Sequence, residues 1–136
     1  MNDLSFLNNL KRELKLEMVE PSYEMKESYL GMAQECLTSA KFLQENKLYK
    51  NSIATAYYTM YNALTALLFK VGIKCEIHNG SIAIFRTFFK EPELLKIIVF
   101  GKEERRDKQY YPTSKDNPSP TEESTKDMIA KAEIFL

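Results

Sequence analysis

The stretch from Tyr49 to Val71 constrains the fold more than any other part of the chain. Its apolar residues recur at steps of three and four, the period of one helix face. The stripe consists of Ile53, Tyr57, Met60, Leu64, Leu67 and Val71, and Tyr58, Tyr61, Leu68 and Phe69 widen it. A helix apolar over so much of its circumference is usually central in a bundle. Gly72 follows where a glycine commonly ends a helix, so we predict a central helix over 49–71.

Further helices are predicted on both sides of this central one. Apolar stripes cover 25–43, 82–89 and 128–135, and an N-terminal stripe is made of Leu4, Leu7, Leu10, Leu14 and Met18. Pro92 suits the first turn of another helix, which we expect to continue through Gly101 to Tyr110. No stretch alternates with period two, so we predict no sheet. The expected fold class is all-α, an up-and-down bundle of four to six helices forming one domain over 1–136.

Several helix starts are also predicted from side chains that can cap them. Asn79 or Ser81 could cap the helix that follows the loop 74–78. Residues 112–120 contain three prolines and form a loop. After it, Ser119 and Glu122 have the spacing of a capping box, with Pro120 at the first helical position.

The charge balance excludes several classes of protein. Nineteen basic and nineteen acidic residues give zero net charge, which argues against a chain coated in basic charge for duplex DNA or anionic membrane. No apolar run approaches the ~20 residues of a membrane helix. The N-terminus has no basic region followed by an apolar run, so no secretory leader is expected. Cys36 and Cys75 match no metal spacing and are interpreted as reduced thiols of a cytoplasmic protein.

The single histidine, His78, limits the chemistry further. A di-iron bundle needs repeated Glu-x-x-His motifs, and a zinc site needs more ligands than His78 and the two cysteines supply. No glycine-rich phosphate loop is present. We therefore expect neither a cofactor nor a metal.

The central segment resembles the HEPN domain family. The likeness rests on Ala56-Tyr57-Tyr58-Thr59-Met60-Tyr61-Asn62-Ala63, on the preceding Leu48–Ile53, and on the loop of Gly72-Ile73 and His78-Asn79-Gly80. It is strongest over 48–111 and closest to small stand-alone prokaryotic members. The resemblance implies a helical bundle, commonly a homodimer. Many members are metal-independent endoribonucleases that use an arginine followed, after four to six residues, by a histidine, with two copies facing each other across the dimer cleft.

In this chain tyrosine stands where the ribonuclease motif has histidine. Arg105 and Tyr110 have the minimum motif spacing, and so do Arg106 and Tyr111. His78 lies upstream of both arginines and does not fit the motif order. An arginine can still bind phosphate, but a tyrosine of pKa ~10 is a poor base at neutral pH. We therefore expect a weak ribonuclease or none, with the degenerate motif of these four residues as the candidate catalytic site.

The arginine segment also has an interpretation independent of any family. On a continuous helix, Arg105, Arg106 and Gln109 share the face of the apolar residues 94–99, and Tyr110 lies one turn beyond Arg106. A buried arginine needs a partner. That partner could be a carboxylate, such as Glu103 for Arg106, or a phosphate at a subunit interface. A surface segment of no special role is the third possibility.

Two more residues are candidate ligand contacts together with the arginines. Asn62 could bond across helices or contribute to the cleft, and His78 could order its loop or bind a ligand. The leading hypothesis is a HEPN component of a toxin–antitoxin pair that acts on RNA, whose partner is a small nucleotidyltransferase. In that family the partner adenylylates a motif tyrosine, here Tyr110 or Tyr111. The alternative is a non-catalytic homodimeric module that binds a nucleotide, RNA phosphate or another protein.

Overall fold

The computed structural model of the chain describes residues 2–136 and shows an all-α bundle with one small antiparallel sheet. Met1 lies outside the described residues. It belongs to the predicted domain and to the N-terminus in which we expect no secretory leader. The helices are α1 (Asp3–Arg12), α2 (Tyr23–Glu45), α3 (Tyr49–Val71), α4 (His78–Phe88), α5 (Pro92–Tyr110) and α6 (Glu122–Phe135). The strands are β1 (Leu16–Met18) and β2 (Ile73–Cys75). The fold class is therefore as predicted, with six helices in the part described.

Helix α3 is the centre of the bundle, as its wide apolar surface predicts. It packs against α2, α5 and α6, and its Tyr57 and Met60 side chains have no exposed surface. Its bounds are those predicted from the sequence. Gly72 ends it with φ of 88°, a backbone angle that a side chain would strain. None of the helices within 2–136 is long and apolar enough to span a bilayer.

The N-terminal segment departs from the predicted long helix. Helix α1 ends at Arg12, and Leu14 adopts a positive φ of 61° that turns the chain. Strand β1 then pairs with β2, with Leu16 opposite Cys75 and Met18 opposite Ile73. Leu14 and Met18 are exposed instead of continuing the stripe. The predictions of a helix through Met18 and of no sheet are wrong, because a three-residue strand is too short to show alternation.

Two predicted helix caps are also wrong. Helix α6 begins after Thr121, whose hydroxyl accepts from the Ser124 N–H while the Ser124 hydroxyl accepts from the Thr121 N–H. The capping box is therefore shifted two residues from the predicted one at Ser119. Helix α4 begins at His78 without a side-chain cap, so neither Asn79 nor Ser81 caps it.

Gly101 explains how α5 comes close to α3. A Cβ atom at this position would lie 2.8 Å from Met60 Sδ and 3.2 Å from Met128 Cε. Helix α5 continues through Gly101 to Tyr110, as predicted. The close approach lets Arg105, one turn beyond Gly101, reach the tyrosines of α3.

Candidate functional site

Arg105 lies among three tyrosine rings at the contact between α5 and α3. Its Nη1 donates a hydrogen bond of 3.2 Å to Tyr58 Oη. Its Cζ lies 5.3 Å from the ring centroid of Tyr57, and 5.6 Å from those of Tyr58 and Tyr110. These distances are in the range of cation–π attraction. We call Arg105, Tyr57, Tyr58 and Tyr110 the arginine–tyrosine cluster.

The guanidinium of Arg105 has spare donors. Within residues 2–136 its one hydrogen-bond acceptor is the Tyr58 hydroxyl, and its buried Nε has no hydrogen-bond partner. A buried donor without an acceptor costs about 1–3 kcal/mol. No carboxylate among the described residues accepts a hydrogen bond from Arg105, although the sequence analysis allowed for one. A phosphate or another anionic acceptor would bind this partly exposed guanidinium through its other nitrogens, because Nε has no accessible surface.

His78 joins the arginine–tyrosine cluster from the first position of α4. Its Nδ1 lies 2.8 Å from Tyr57 Oη, and its ring stacks on Tyr61 with centroids 3.7 Å apart and planes 4° apart. Burial lowers the pKa of His78 below its usual value, and the positive charges of Arg105 and Lys102 lower it further. The imidazole is therefore largely neutral at pH 7.

The phenols beside His78 stay protonated. Burial raises the pKa of Tyr57 well above its ordinary value, although the charge of Arg105 opposes this shift. Burial also raises the pKa of Tyr61. Neither hydroxyl is a base at neutral pH, so His78 is the group of this site that can accept a proton there.

Arg106 lines a separate depression beside the cluster, between α1, α4 and α5. This depression of about 320 Å³ is lined on its polar side by Asp3, Asn79, Arg86, Lys102, Glu103 and Arg106, and we call it the basic groove. Arg86 pairs with Asp3 at 3.1 Å, and Arg106 pairs with Asp107 at 3.1 Å, not with Glu103. Burial lowers the pKa of Lys102, as do the charges of Arg106 and Arg105. Three neighbouring cations thus lie on one side of α5.

The structure distinguishes between the two possible pairings of arginine with tyrosine. Tyr110 contacts Arg105. Helix spacing predicted that Tyr110 would also meet Arg106, but within residues 2–136 Arg106 bonds Asp107 instead. Tyr111 lies just beyond the end of α5. Tyr110 is 64% exposed and Tyr111 is 55% exposed. Arg105 and Tyr110 therefore form the spatial pair, whereas Arg106, also expected on the inward face, is exposed and bonds Asp107.

Asn62 is placed against α2 instead of the arginines. Its Nδ2 donates to Cys36 Sγ at 3.6 Å. Burial raises the pKa of the Cys36 thiol, although this hydrogen bond opposes the shift. Asn62 thus takes the first of its two predicted roles, a bond between helices. Among residues 2–136 no group of histidine, cysteine and acidic side chains is arranged to hold a metal ion.

Lys108 is a buried residue of this region that sequence reasoning missed. Only 8% of it is exposed, and its Nζ donates to Asn117 Oδ1 at 2.9 Å and to Pro118 O at 2.8 Å. Gln109, expected on the inward face, is exposed. The sequence feature that could have indicated its burial is the seven-residue spacing from Gly101 to Lys108, which places both residues on one face of α5.

Comparison with known proteins identifies the family. The sequence model of the HEPN domain matches residues 26–136. The chain belongs to the HEPN family. The match extends beyond the region of strongest resemblance, since it includes α6 and most of α2. The match also includes the end of α5, where Arg105 and Tyr110 meet.

Several curated proteins are similar to this HEPN chain. A Methanocaldococcus jannaschii protein named "Putative toxin MJ0605" is 33% identical over 114 residues, which cover 81% of this chain and 82% of the relative. A UPF0332 protein of Thermotoga maritima is 34% identical over 107 residues, covering 76% and 80%. A UPF0332 protein of Pyrococcus horikoshii is 40% identical over 63 residues, covering 46% and 44%.

Proposed function

We propose that this HEPN protein is the toxin-type component of a two-protein module and holds RNA phosphate at Arg105. The observation that carries the proposal is that the partly exposed Arg105 has the Tyr58 hydroxyl as its one acceptor among residues 2–136 and no carboxylate partner there. The guanidinium is already held in place by Tyr57, Tyr58 and Tyr110. A preorganised guanidinium with free donors favours a phosphate oxygen, which accepts charge-assisted hydrogen bonds.

Lys102 and Arg106 extend the positive surface on which an RNA backbone would lie. Both line the basic groove, and the electrostatic effect of both arginines on Lys102 indicates that the three charges are close. Arg106 pairs with Asp107 and Glu103 also lines the groove, but three cations held near each other still attract a polyanion. The chain as a whole is neutral, so binding rests on this local cluster.

Ribonuclease activity in this proposal is weak, because the motif position holds Tyr110 instead of histidine. The name of the similar Methanocaldococcus jannaschii protein supports a toxin role. The alternative is a non-catalytic module that binds a nucleotide, RNA or another protein. This alternative is also supported by Tyr110 at the histidine position, because loss of a general acid–base group typically reduces a rate ~10²–10⁴-fold.

The proposal includes a homodimer, which the family resemblance implies. A groove on α5 is lined by the apolar residues Leu95, Val99 and Phe100 and by the charged Lys96 and Glu103, and Phe100 is 38% exposed. We expect Phe100→Glu to convert the dimer to a monomer in analytical ultracentrifugation. Phe42→Glu is the matched control, because Phe42 is 63% exposed on α2. A wild-type chain that sediments as a monomer at high concentration would contradict the dimer.

The proposal also includes a nucleotidyltransferase partner that modifies a tyrosine. Tyr110 and Tyr111 are both more than half exposed and so are open to another protein. We expect co-expression with a nucleotidyltransferase encoded beside this gene to add AMP to Tyr110, detected by peptide mass spectrometry. The modification should be lost in Tyr110→Phe and retained in Tyr111→Phe. The absence of such a gene, or of any added mass, would refute this part.

Phosphate binding is tested with a fluorescent, mixed-sequence, single-stranded oligonucleotide with 2′-deoxy sugars, which the protein cannot cleave through the 2′-hydroxyl. We expect Arg105→Ala to weaken binding about tenfold to a hundredfold, from the loss of ~1.5–3 kcal/mol of charged hydrogen bonding. Binding by the wild type should weaken with added salt. Lys126→Ala is the matched control, since Lys126 is an exposed cation on α6 away from Arg105 and from the α5 groove. Equal affinities for wild type and Arg105→Ala would reject the site.

A further inference from the structure

The described part of the chain forms a sheet of two strands, so the outer edge of β1 has no partner strand. The Val19 N–H donates to Gly72 O at 2.8 Å, and bonded positions alternate along an antiparallel pair. Glu17 is therefore the next β1 residue whose backbone faces β2. The N–H and C=O groups of Leu16 and Met18 point away from β2, and none of the described backbone hydrogen bonds outside the sheet reaches them.

Two oppositely charged side chains, Lys15 and Glu17, lie two residues apart along this edge. Lys15 has an ion pair of 3.2 Å with Glu13 that is exposed to solvent. Glu17 has no ion pair within the described residues, and the ammonium of Lys74, its neighbour on β2, pairs with Glu76 at 3.8 Å. The edge therefore presents one cation and one anion, together with unpaired backbone groups.

We propose that β1 pairs with β1 of a second copy of this chain, in an antiparallel register centred on Leu16. In this register each Lys15 faces the Glu17 of the second copy, at the non-hydrogen-bonded position where side chains come closest. Two-fold symmetry gives two such ion pairs and two backbone hydrogen bonds between the Leu16 residues. The two sheets become one sheet of four strands.

The other registers that use the same backbone groups are less complementary. If Leu16 faces Met18 of the second copy, the two Glu17 side chains lie directly opposite each other, and like charges there are destabilising. A register centred on Met18 leaves Glu17 opposite Val19, without a cation. A short edge strand with a lysine is often protected from pairing, but here the glutamate two residues on makes the charges self-complementary. The charge pattern therefore selects a second copy as the partner.

The same register brings exposed apolar side chains together. Leu14 is 75% exposed and Met18 is 64% exposed. They lie two residues to either side of Leu16, so the pairing brings each Leu14 near the Met18 of the second copy. Burial of this surface stabilises the contact in addition to the ion pairs. Because the strand has three residues, the contact is small and forms reversibly at high protein concentration.

This β1 interface is distinct from the α5 groove proposed for the homodimer. Strand β1 ends at Met18, before residue 26, where the match to the family model begins. The α5 groove is lined by residues between Leu95 and Glu103. A chain that uses both contacts forms tetramers from dimers. The β1 pairing does not need the phosphate site at Arg105 and does not rest on the proposed function.

The experiment measures self-association of the full chain by sedimentation velocity in a Phe100→Glu parent, which lacks the proposed α5 contact. Lys15→Glu and Glu17→Lys each convert both ion pairs into like-charge contacts, and we expect each to weaken association about tenfold or more. The double variant restores opposite charges and should associate within about threefold of the parent. Lys90→Glu is the control, because Lys90 is an exposed lysine between α4 and α5.

An equimolar mixture of the Lys15→Glu and Glu17→Lys chains should associate although each chain alone does not, because opposite charges then meet across the interface. Association of both single variants at the strength of the parent would overturn the inference. So would a double variant or a mixture that stays monomeric, or a parent that does not associate at any concentration.

Amide hydrogen exchange of the wild type gives a readout that needs no variant to fold. The N–H of Leu16 should exchange more slowly at high protein concentration than at low, because it then donates to the second copy. The N–H of Val19, already bonded to Gly72 O, should exchange equally at both concentrations. Equal exchange of the Leu16 N–H at the two concentrations would refute the pairing and leave the proposed function unaffected.

Discussion

Tyr57 Oη and His78 Nδ1 are separated by 2.8 Å, and this hydrogen bond joins the central helix to the first residue of α4. Tyr57 is fully buried, whereas His78 is partly exposed. The bond therefore links the core of the bundle to its surface beside Arg105. Because the bond reaches the buried core, protonation of His78 is coupled to the stability of the folded protein.

Acidification should destabilise the protein through His78. The folded-state pKa is lowered by burial and by Arg105 and Lys102, while the unfolded value is about 6.5. Between these values the unfolded chain binds more protons, so the stability contribution is complete above about pH 6.5 and decreases as pH falls below it. Urea unfolding at several pH values between 7.5 and 5 measures the effect. His78→Asn should lose this pH dependence.

The same titration can be observed directly, because His78 is the one histidine of the chain. Its ring-proton resonance in NMR should report a pKa below 6.5 in the wild type. Arg105→Ala should move that pKa upward by removing a nearby positive charge. A wild-type value at or above 6.5 would contradict the burial of the ring.

Gly101→Ala should destabilise the contact between α5 and α3. The new methyl group would meet Met60 Sδ at 2.8 Å. Overpacking typically costs about 1–3 kcal/mol, which exceeds the gain of up to ~1 kcal/mol from helix propensity. Gly31→Ala is the control, since a methyl group there meets nothing within 4 Å and should be stabilising. Equal effects of the two substitutions on the unfolding midpoint would contradict the close approach.

Lys108→Met should release the loop 112–120. The ammonium of Lys108 is bonded to Asn117 Oδ1 and Pro118 O, and loss of these bonds leaves acceptors without their donor. We expect a loss of ~1–3 kcal/mol and faster proteolysis within the loop. Asn117→Ala should loosen the same loop, because Asn117 Nδ2 also bonds Asp107 O at 2.7 Å. Lys96→Met, at an exposed position, should leave the proteolysis rate unchanged.

Thr121→Ala should destabilise α6, whereas Ser119→Ala should have little effect. Thr121 accepts from the Ser124 N–H at 3.0 Å and so satisfies one free donor of the first turn. Replacing such a cap by alanine typically costs ~1 kcal/mol. Thermal unfolding of both variants distinguishes the capping box found here from the one predicted at Ser119.

The position of Arg105 and Tyr110 along α5 was predictable from the sequence, but the direction in which each arginine faces was not. The sequence spacing places Arg105 and Tyr110 near the end of one helix, and it predicts that helix through Gly101 to Tyr110. It does not show which arginine faces α3. That choice depends on the close approach at Gly101, which turns Arg105 toward Tyr57 and leaves Arg106 beside Asp107.

By itself the amino-acid sequence determined the helical class, the bounds of α3 and the place where it ends. Each of these follows from side-chain periodicity or from the backbone freedom of Gly72, which act over a few neighbouring residues. Only the tertiary structure decided the pairing of β1 with β2 and the approach of His78 to Tyr57 and Arg105. These contacts join residues far apart in the chain, and their formation depends on how the helices pack.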